Sequence, residues 1–269
     1  MMMLPGEYRR MFEFEDAYWW YRGVRVLLQA LLARYTPTDS RNALILDAGC
    51  GTGANMKLLE SYGKVIGVDI SEEAIGFCRA RGISRARAFV ASLKELPFPT
   101  DFFDLIISYE VICNIADDTK AFAEIARALK PHGCMIVQLP AYQWLWSRHD
   151  VAVGHQRRYS ARDLRAKIAQ AGLKIERVTH ANALLLPFVA AERLLHRRVS
   201  ADGSLIHSDL ELLPNRINNA LSALFTTEMR AVSHVDFPYG LSLVAVARKP
   251  ADRRPQAAVE NQQSAVSGR

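Results

Sequence analysis

The segment from Ala43 to Asp69 constrains the fold of this chain more than any other stretch does. An apolar run ends in Asp47, a glycine-rich turn and an amphipathic segment follow, and a second apolar run ends in Asp69. Strand, glycine turn, helix, strand and acid, in that order, form the first half of a nucleotide-binding α/β sheet. Glycines let a backbone approach a ligand closely, and the following helix directs free N–H groups at it. The turn contains Gly49, Gly51 and Gly53.

The residues around this turn favour S-adenosylmethionine as the ligand. With Ala54 at the third place, the glycines also satisfy the dinucleotide fingerprint, so NAD is a competing interpretation. The carboxylate of Asp47 would repel a pyrophosphate, but it suits a ligand that carries an ammonium group and no phosphate. A second interpretation makes Asp47 a helix-capping or turn acid. Asp69, 22 residues further on, is placed to accept hydrogen bonds from ribose hydroxyls.

Four stretches, the first two of them in or overlapping the segment just described, keep a common order and spacing: Leu46–Gly53, Val68–Ser71, Leu96–Ile106 and Glu124–Cys134. They resemble the glycine motif, the ribose-binding motif, the run into the fourth strand and the helix-turn-strand signature of class I S-adenosylmethionine-dependent methyltransferases. Within that family, the sequence is most similar to the small-molecule branch that includes ubiquinone and menaquinone methyltransferases. The resemblance implies these cofactor-binding residues: Asp47, Gly49, Gly51, Gly53, Asp69, Ile70, Ser92, Leu93 and Tyr109.

Alternating strand and helix patterns predict an α/β fold, a Rossmann-like doubly wound sheet of about seven strands. The class I resemblance implies that the last strand is antiparallel. Ser160, with Asp163 three residues later and Gly172 beyond, predicts a capped helix. The strands are predicted near residues 43–48, 65–69, 86–90, 104–109, 133–139, 174–180 and 241–248, and helices near 54–62, 72–81 and 117–129.

The chain is expected to consist of one core with additions. Residues 43–180 and 241–249 are predicted to form the cofactor-binding core, and residues 1–42 an aromatic, helical N-terminal cap. About 60 residues separate strands six and seven where a short connection would suffice. This segment, 181–240, is predicted to be a helical lid with helices at Leu184–Arg198 and Asp209–Thr226. The polar tail, 250–269, is predicted to be disordered.

Charge and cysteine usage bear on partners and location. The net charge is +6, which raises nucleic acid as a partner, but no basic stripe is interleaved with aromatic residues. Nor does Ser108–Val111 resemble the motif with which base methylases hold an exocyclic amine. The four cysteines have no paired spacing, and reduced thiols in a cytoplasmic protein are the expectation. The sequence therefore predicts a small-molecule acceptor and no nucleic acid.

No stretch of the sequence predicts a transmembrane segment. The longest apolar run, Ala183–Ala191, contains Pro187 and is too short to cross a bilayer. Peripheral membrane contact stays open as an expectation. The chain is expected to be a monomer or a homodimer.

The loop after the fourth strand, Tyr109–Ile115, departs from related sequences. Relatives often read DVLEHI there, with a histidine where this chain has Asn114 and an acid where it has Cys113. A catalytic base cannot be carried over to that position. The resemblance still leaves Tyr109 as a cofactor contact and Glu110 near the methionine end of the cofactor.

The loop after the fifth strand, residues 140–159, concentrates histidines, acids, arginines and aromatics, and it resembles a signature in bacterial class I methyltransferases of mostly unassigned substrate. A histidine is suited to accept a proton near neutral pH. The alternatives are loop-ordering hydrogen bonds, or a divalent metal on His149, Asp150 and His155; the leading expectation is no metal. Expected catalytic residues are His149, Asp150, His155 and Tyr159. Expected substrate contacts are Trp20, Tyr21, Asn114, Tyr142, Trp146 and Arg158, which would pair with an acidic group.

The resulting hypothesis is methyl transfer from S-adenosylmethionine to a small, partly apolar acceptor, such as a natural product, a quinone or isoprenoid, or a lipid-like molecule. Two alternatives stay open. An NAD(P)-dependent oxidoreductase would use the glycine turn for a pyrophosphate. A non-catalytic, cofactor-binding partner subunit would explain why Asn114 replaces the histidine of relatives.

Overall fold

The computed structural model describes residues 3–4, 6–36, 42–196 and 213–251. These residues build a seven-stranded sheet with helices on both faces. The predicted tail beyond residue 251 and the predicted helical residues 197–198 and 209–212 lie outside the described residues.

The sheet has the strand order β3-β2-β1-β4-β5-β7-β6. The first five strands are parallel, and β7 lies between β5 and β6, antiparallel to both. This arrangement confirms the predicted Rossmann-like sheet with an antiparallel last strand. The strands are β1 (Leu44–Ala48), β2 (Lys64–Asp69), β3 (Ala88–Val90), β4 (Phe103–Tyr109), β5 (Leu129–Pro140), β6 (Lys174–Ala181) and β7 (Ser242–Arg248).

The helices pack on both faces of this sheet. The aromatic N-terminal segment, expected as one amphipathic stretch, forms two helices separated by a turn at residues 15–18. The helices are α1 (Glu7–Phe14), α2 (Trp19–Tyr35), α3 (Ala54–Leu59), α4 (Glu72–Ala80), α5 (Asp118–Ala128), α6 (Arg148–Ala152), α7 (Ala161–Gln170), α8 (Leu186–His196) and α9 (Asn215–Val232).

The predicted cap of α7 is present. Ser160 Oγ accepts the backbone N–H of Asp163 at 3.1 Å, and the Asp163 carboxylate in turn accepts from the Ser160 hydroxyl at 2.6 Å. Gly172, at φ +78°, follows the helix end in a left-handed conformation that glycine adopts without a steric cost.

Two apolar cores, one on each face of the sheet, hold the layers together. Buried side chains of α5 and α7, including Phe122 and Leu164, pack on one face. Those of α2, α3, α4 and α9, including Leu27 and Phe225, pack on the other. The central strands are almost entirely buried, as expected for parallel strands covered on both sides. The two cores fix the strands whose carboxyl ends carry the candidate site.

Helices α2 and α9 approach closely at Gly23. The ring of Phe225 on α9 occupies the space where a Cβ on Gly23 would lie, with only 2.1 Å to Phe225 Cδ1. The same ring meets Trp19 edge to face, with 5.2 Å between ring centroids. The second helix of the predicted lid therefore braces α2.

Replacing Gly23 with alanine should destabilise the fold. The added methyl group collides with the buried Phe225 ring, and overpacking of this kind costs about 1–3 kcal/mol, partly offset by about 1 kcal/mol of helix propensity. Urea denaturation measures the free energy of unfolding. The control is Gly76→Ala on α4, where an added Cβ meets no atom within 4 Å, and this variant should be as stable as the parent or more so. Equal stability of the two variants would contradict the packing described.

Candidate active site

A cavity of about 570 Å³ lies at the carboxyl ends of the parallel strands. Its floor is formed by the turn after β1 and by the ends of β2, β4 and β5, while α1, α2 and α8 cover it. Ligands of open α/β sheets bind at this edge, and the volume lies in the range typical of small-molecule sites, about 300–1,000 Å³.

The glycine turn is fixed by hydrogen bonds to β2. The backbone N–H groups of Gly49 and Cys50 donate to the carbonyl of Val68 at 2.8 and 2.9 Å, and that of Gly51 donates to Asp69 Oδ2 at 3.0 Å. Gly51 has φ +52°, and an added Cβ would point at Met11 Sδ, 3.2 Å away across the cavity. The turn therefore presents bare backbone to the cavity, as close approach of a ligand requires.

Asp69 ends β2 and lines the cavity. Its Oδ1 accepts the backbone N–H of Ser71 at 3.0 Å and the hydroxyl of Tyr8 at 3.4 Å. Burial raises the pKa of this carboxyl, and the N–H groups of Ser71 and Gly51 oppose that rise. The carboxylate oxygens have further lone pairs that can accept ribose hydroxyls.

Two more buried acids surround the turn. Asp47 is buried, and within the described part of the chain its Oδ2 has no hydrogen-bond partner. Burial, followed by the charges of Asp69 and Glu15, raises the pKa of Asp47 to about 8. Glu15, whose pKa burial also raises, accepts from the Thr52 hydroxyl and from Arg81 Nη2.

These acids distinguish the two cofactors considered from the sequence. A cation close to the turn stabilises the ionised carboxylates, whereas a pyrophosphate adds negative charge beside them. The buried carboxylates therefore suit the positively charged ammonium and sulfonium groups of S-adenosylmethionine. Seven of the nine residues predicted to bind the cofactor line the cavity, whereas Asp47 and Gly53 are not part of its lining. The seven are Gly49, Gly51, Asp69, Ile70, Ser92, Leu93 and Tyr109.

Helix α1 and the residue that caps its C-terminus supply cavity residues that the sequence did not single out. Glu7, Tyr8, Met11 and Glu15 all line the cavity. Three of them recur at intervals of four residues, the spacing that places side chains on one face of a helix. This spacing is visible in the sequence, but it does not reveal which part of the protein that side of the helix covers.

Asp150 organises the loop after β5. It is completely buried; its Oδ1 accepts His155 Nδ1–H and Arg158 Nε–H, both at 2.7 Å, and its Oδ2 accepts Arg158 Nη2 at 3.0 Å and the Ser147 backbone N–H at 2.8 Å. Burial raises the pKa of Asp150, but the His155 hydrogen bond and the Arg158 charge outweigh it and hold the pKa well below its usual range. Asp150 is thus a carboxylate that positions two side chains.

The two histidines of this loop line the cavity together. With Nδ1 of His155 bound to Asp150, its Nε2 is the nitrogen left for a ligand or a proton. The rings of His149 and His155 lie 6.1 Å apart, edge to face. Arg158 also lines the cavity, and three of its five guanidinium N–H groups donate to Asp150 and to the carbonyl of Ala141. Its pairing with an acidic substrate stays a prediction.

Three aromatic residues predicted for the acceptor site lie outside the cavity lining, as does Asp150. Tyr159, 1% exposed, donates its hydroxyl to Asp118 at 2.6 Å in the core. Tyr142 stacks on His180, with 5.5 Å between ring centroids, and its hydroxyl lies 3.2 Å from Nε2 of that histidine. Trp146 follows a short 3-10 turn and is also absent from the lining. The hydroxyl groups of Tyr159 and Tyr142 are thus already bound within the protein, where they order the loop.

The remaining predicted contacts, Trp20, Tyr21 and Asn114, do line the cavity. Helix α8 adds Val189, Glu192 and Arg193, and Arg193 donates to the carbonyl of Leu145. No described residue of α9 reaches the lining. Of the predicted lid, α8 and its preceding loop therefore cover the site.

Comparison with known proteins agrees with this geometry. Residues 46–137 match the methyltransferase domain family. A probable S-adenosylmethionine-dependent methyltransferase of Mycobacterium tuberculosis is 27% identical over 93% of this chain and 90% of that protein. The ubiquinone/menaquinone biosynthesis C-methyltransferase of Proteus mirabilis is 34% identical over 39% of this chain and 46% of that protein.

Solved structures show the same fold. A putative methyltransferase of Haloferax volcanii, solved in complex with the Trm112 methyltransferase activator, aligns with a TM-score of 0.59 at 21% identity, over 91% of this chain and 95% of that one. A possible histamine N-methyltransferase of Thermotoga maritima aligns with a TM-score of 0.56 at 20% identity, over the same shares of the two chains.

The fold and the acid-lined cavity define an enzyme that binds S-adenosylmethionine. The chain belongs to the class I S-adenosylmethionine-dependent methyltransferases. The relatives described here favour neither the oxidoreductase nor the non-catalytic alternative. In the portions of the chain that the structure covers, no helix is long and apolar enough to cross a membrane.

Replacing Asp69 with alanine should weaken S-adenosylmethionine binding by about 2–4 kcal/mol, because charge-assisted hydrogen bonds to the ribose are lost. Isothermal titration calorimetry measures the affinity. The control is Asp163→Ala, which also removes a carboxylate that accepts from a local backbone N–H but lies in the cap of α7. Unchanged affinity in a folded Asp69→Ala variant would overturn the assignment.

Cofactor affinity should increase with pH between 6 and 7.5. The pKa of Asp47 is about 8 in the free protein, and a bound cation lowers it, so binding below pH 8 must release a proton. Affinity then rises by up to about tenfold per pH unit and levels off above pH 8. Calorimetry at several pH values tests this. The Asp47→Asn variant lacks the titrating carboxyl, whereas the ionisation of the cofactor itself is unchanged, so its affinity should vary less with pH. An equally steep dependence of affinity on pH would exclude Asp47 as the titrating group.

Proposed function

We propose that this enzyme transfers the methyl group of S-adenosylmethionine to a small, partly apolar acceptor bound in the same cavity. The observation that carries the proposal is that one cavity joins the glycine turn and Asp69 to the pair His149 and His155. In-line displacement at a sulfonium requires the acceptor to lie beside the methyl group, and a shared, covered cavity supplies that proximity.

The chemistry of the lining supports an acceptor with both apolar and polar parts. Trp20, Tyr21 and Val189 offer apolar and aromatic surface, whereas Asn114 and the two histidines offer hydrogen bonds. Quinol-like, isoprenoid or lipid-like molecules combine these properties. The similarity to the Proteus mirabilis quinone methyltransferase adds support over the part of the chain that aligns.

The acceptor proton is taken up at the histidine pair. Asp150 holds His155 in one orientation through Nδ1, and the ring of His149 lies beside it at the cavity wall. Arg158 positions the loop through Asp150. Because it also lines the cavity, its remaining N–H groups can pair with an acidic group of the acceptor.

Replacing either His149 or His155 with alanine should lower turnover by about 10²–10⁴, the usual effect of losing a positioned proton-transfer group, with little change in cofactor affinity. The assay follows S-adenosylhomocysteine formation with a panel of demethylated quinols and phenols. The control is His132→Ala, at the exposed turn before the buried part of β5. If both cavity variants keep full turnover on an acceptor that the parent methylates, the loop does not take part in the chemistry.

A further inference from the structure

A mixed set of ligand atoms comes together beside the histidine pair. One carboxylate oxygen of Glu110, Sγ of Cys113 and one ring nitrogen of His155 all lie within 4.8 Å of one another. We propose that these three residues form a binding site for a divalent transition metal of the zinc class. This inference deepens the proposed function. Only the role of the metal toward the acceptor rests on that function; the binding site itself does not.

Backbone hydrogen bonds hold together the two loops that carry Glu110, Cys113 and His155. Glu110 and Cys113 belong to the loop after β4, and His155 belongs to the loop after α6. The backbone N–H of Gln156 donates to the carbonyl of Cys113 at 2.8 Å, and that of His155 donates to the carbonyl of Asp150, also at 2.8 Å. The two loops are therefore tied together at the residues that carry the ligand atoms.

Glu110 is held in an unusual conformation toward this cluster. Its φ of +57° lies in the left-handed region, which non-glycine residues adopt at a cost and which is common at functional sites. The side-chain amide of Gln138 donates to Glu110 Oε1 at 3.1 Å. That bond orients the carboxylate and leaves Oε2 for another partner.

His155 is held by a carboxylate, as metal-binding histidines usually are. Metal-bound histidines usually donate their other ring N–H to a carboxylate, which fixes the ring and its tautomer. Asp150 accepts from His155 Nδ1 at 2.7 Å, and Arg158 and Ser147 hold Asp150 in turn. The lone pair of Nε2 is the one that remains for a metal.

The donor set matches a catalytic zinc site in type and number. Thiolate, imidazole and carboxylate all bind zinc at about 2.0–2.3 Å, which places tetrahedral ligand atoms roughly 3.3–3.8 Å apart. Small side-chain rotations bring atoms within 4.8 Å to that separation. Glu110 and His155 also line the cavity, so the fourth position faces the acceptor, as in zinc enzymes with three protein ligands.

This ligand set differs from the one that the sequence offered as an alternative, His149, Asp150 and His155. Asp150 is unsuited because four N–H groups, from Ser147, His155 and Arg158, already occupy its oxygens. A metal at this site would hold an oxygen or nitrogen atom of the acceptor, and His149 would then be the histidine that accepts the proton.

Cobalt substitution tests the site directly. The metal-free enzyme, prepared with a chelator, is titrated with Co²⁺ while its absorption spectrum is recorded. We expect saturation at about one equivalent, visible bands of tetrahedral cobalt, and a near-ultraviolet thiolate-to-cobalt charge-transfer band. Zinc added afterwards should remove these bands by displacement.

Variants identify the ligands. Cys113→Ala should lose the charge-transfer band, and Glu110→Gln and His155→Gln should weaken cobalt binding at least tenfold. The control Cys134→Ala changes another buried cysteine, in β5, and should keep the parent spectrum. Circular dichroism and the thermal unfolding temperature establish that each variant is folded. No charge-transfer band in the parent, or an unchanged band in folded Cys113→Ala, would overturn the proposal.

The spectra need no acceptor, so the metal site and the proposed function can fail separately. If cobalt binds as expected and zinc restores turnover of the chelated enzyme, both proposals are supported. If cobalt binds but no acceptor is methylated, the proposed function fails and the metal site stands. If turnover is found without any thiolate–cobalt band, the methyl transfer stands and the metal site fails.

Discussion

The hydrogen bond from the Gly51 N–H to Asp69 is the interaction on which the site depends. It ties the turn after β1 to the end of β2, and the parallel pairing of these strands sets its length. The contact of Tyr8 with Asp69 and that of Glu15 with Thr52 then attach α1 to the same turn. The glycine turn after β1 thus fixes the position of α1, which covers the cofactor cavity.

Buried carboxylates serve opposite purposes at the two ends of the cavity. Among the described residues, Asp47 Oδ2 has no hydrogen-bond partner and burial raises the pKa of Asp47 to about 8, whereas Asp150, also buried, has a pKa far below its usual range. The difference lies in the charge of Arg158, which offsets that of Asp150, and in the hydrogen bond from His155. The cofactor end can therefore receive a positive charge from a ligand. At the acceptor end, the protein itself supplies the positive charge, on Arg158.

The sequence predicted the sheet and the glycine turn because their signals are local: apolar runs, turn glycines and terminal acids lie within a few residues. The capping of α7 by Ser160 is equally local. The pairing of Arg158 with Asp150 and the burial of Tyr159 against Asp118 were not predicted, since residue type alone does not reveal which partner a loop side chain meets. The cluster of Glu110, Cys113 and His155 depends on two loops separated by some 40 residues of chain, which no sequence spacing encodes.

The position of β7 has a consequence for biosynthesis. Because β7 lies between β5 and β6, β6 has no strand to pair with until residues 242–248 have left the ribosome. Until then, the growing chain exposes the hydrogen-bonding edge of β5 and all of β6, and such edges readily join other chains. The 60 residues between β6 and β7 lengthen this interval. Completion of the sheet is therefore a late step of folding, and until it occurs the edges of β5 and β6 are open to pairing with other chains.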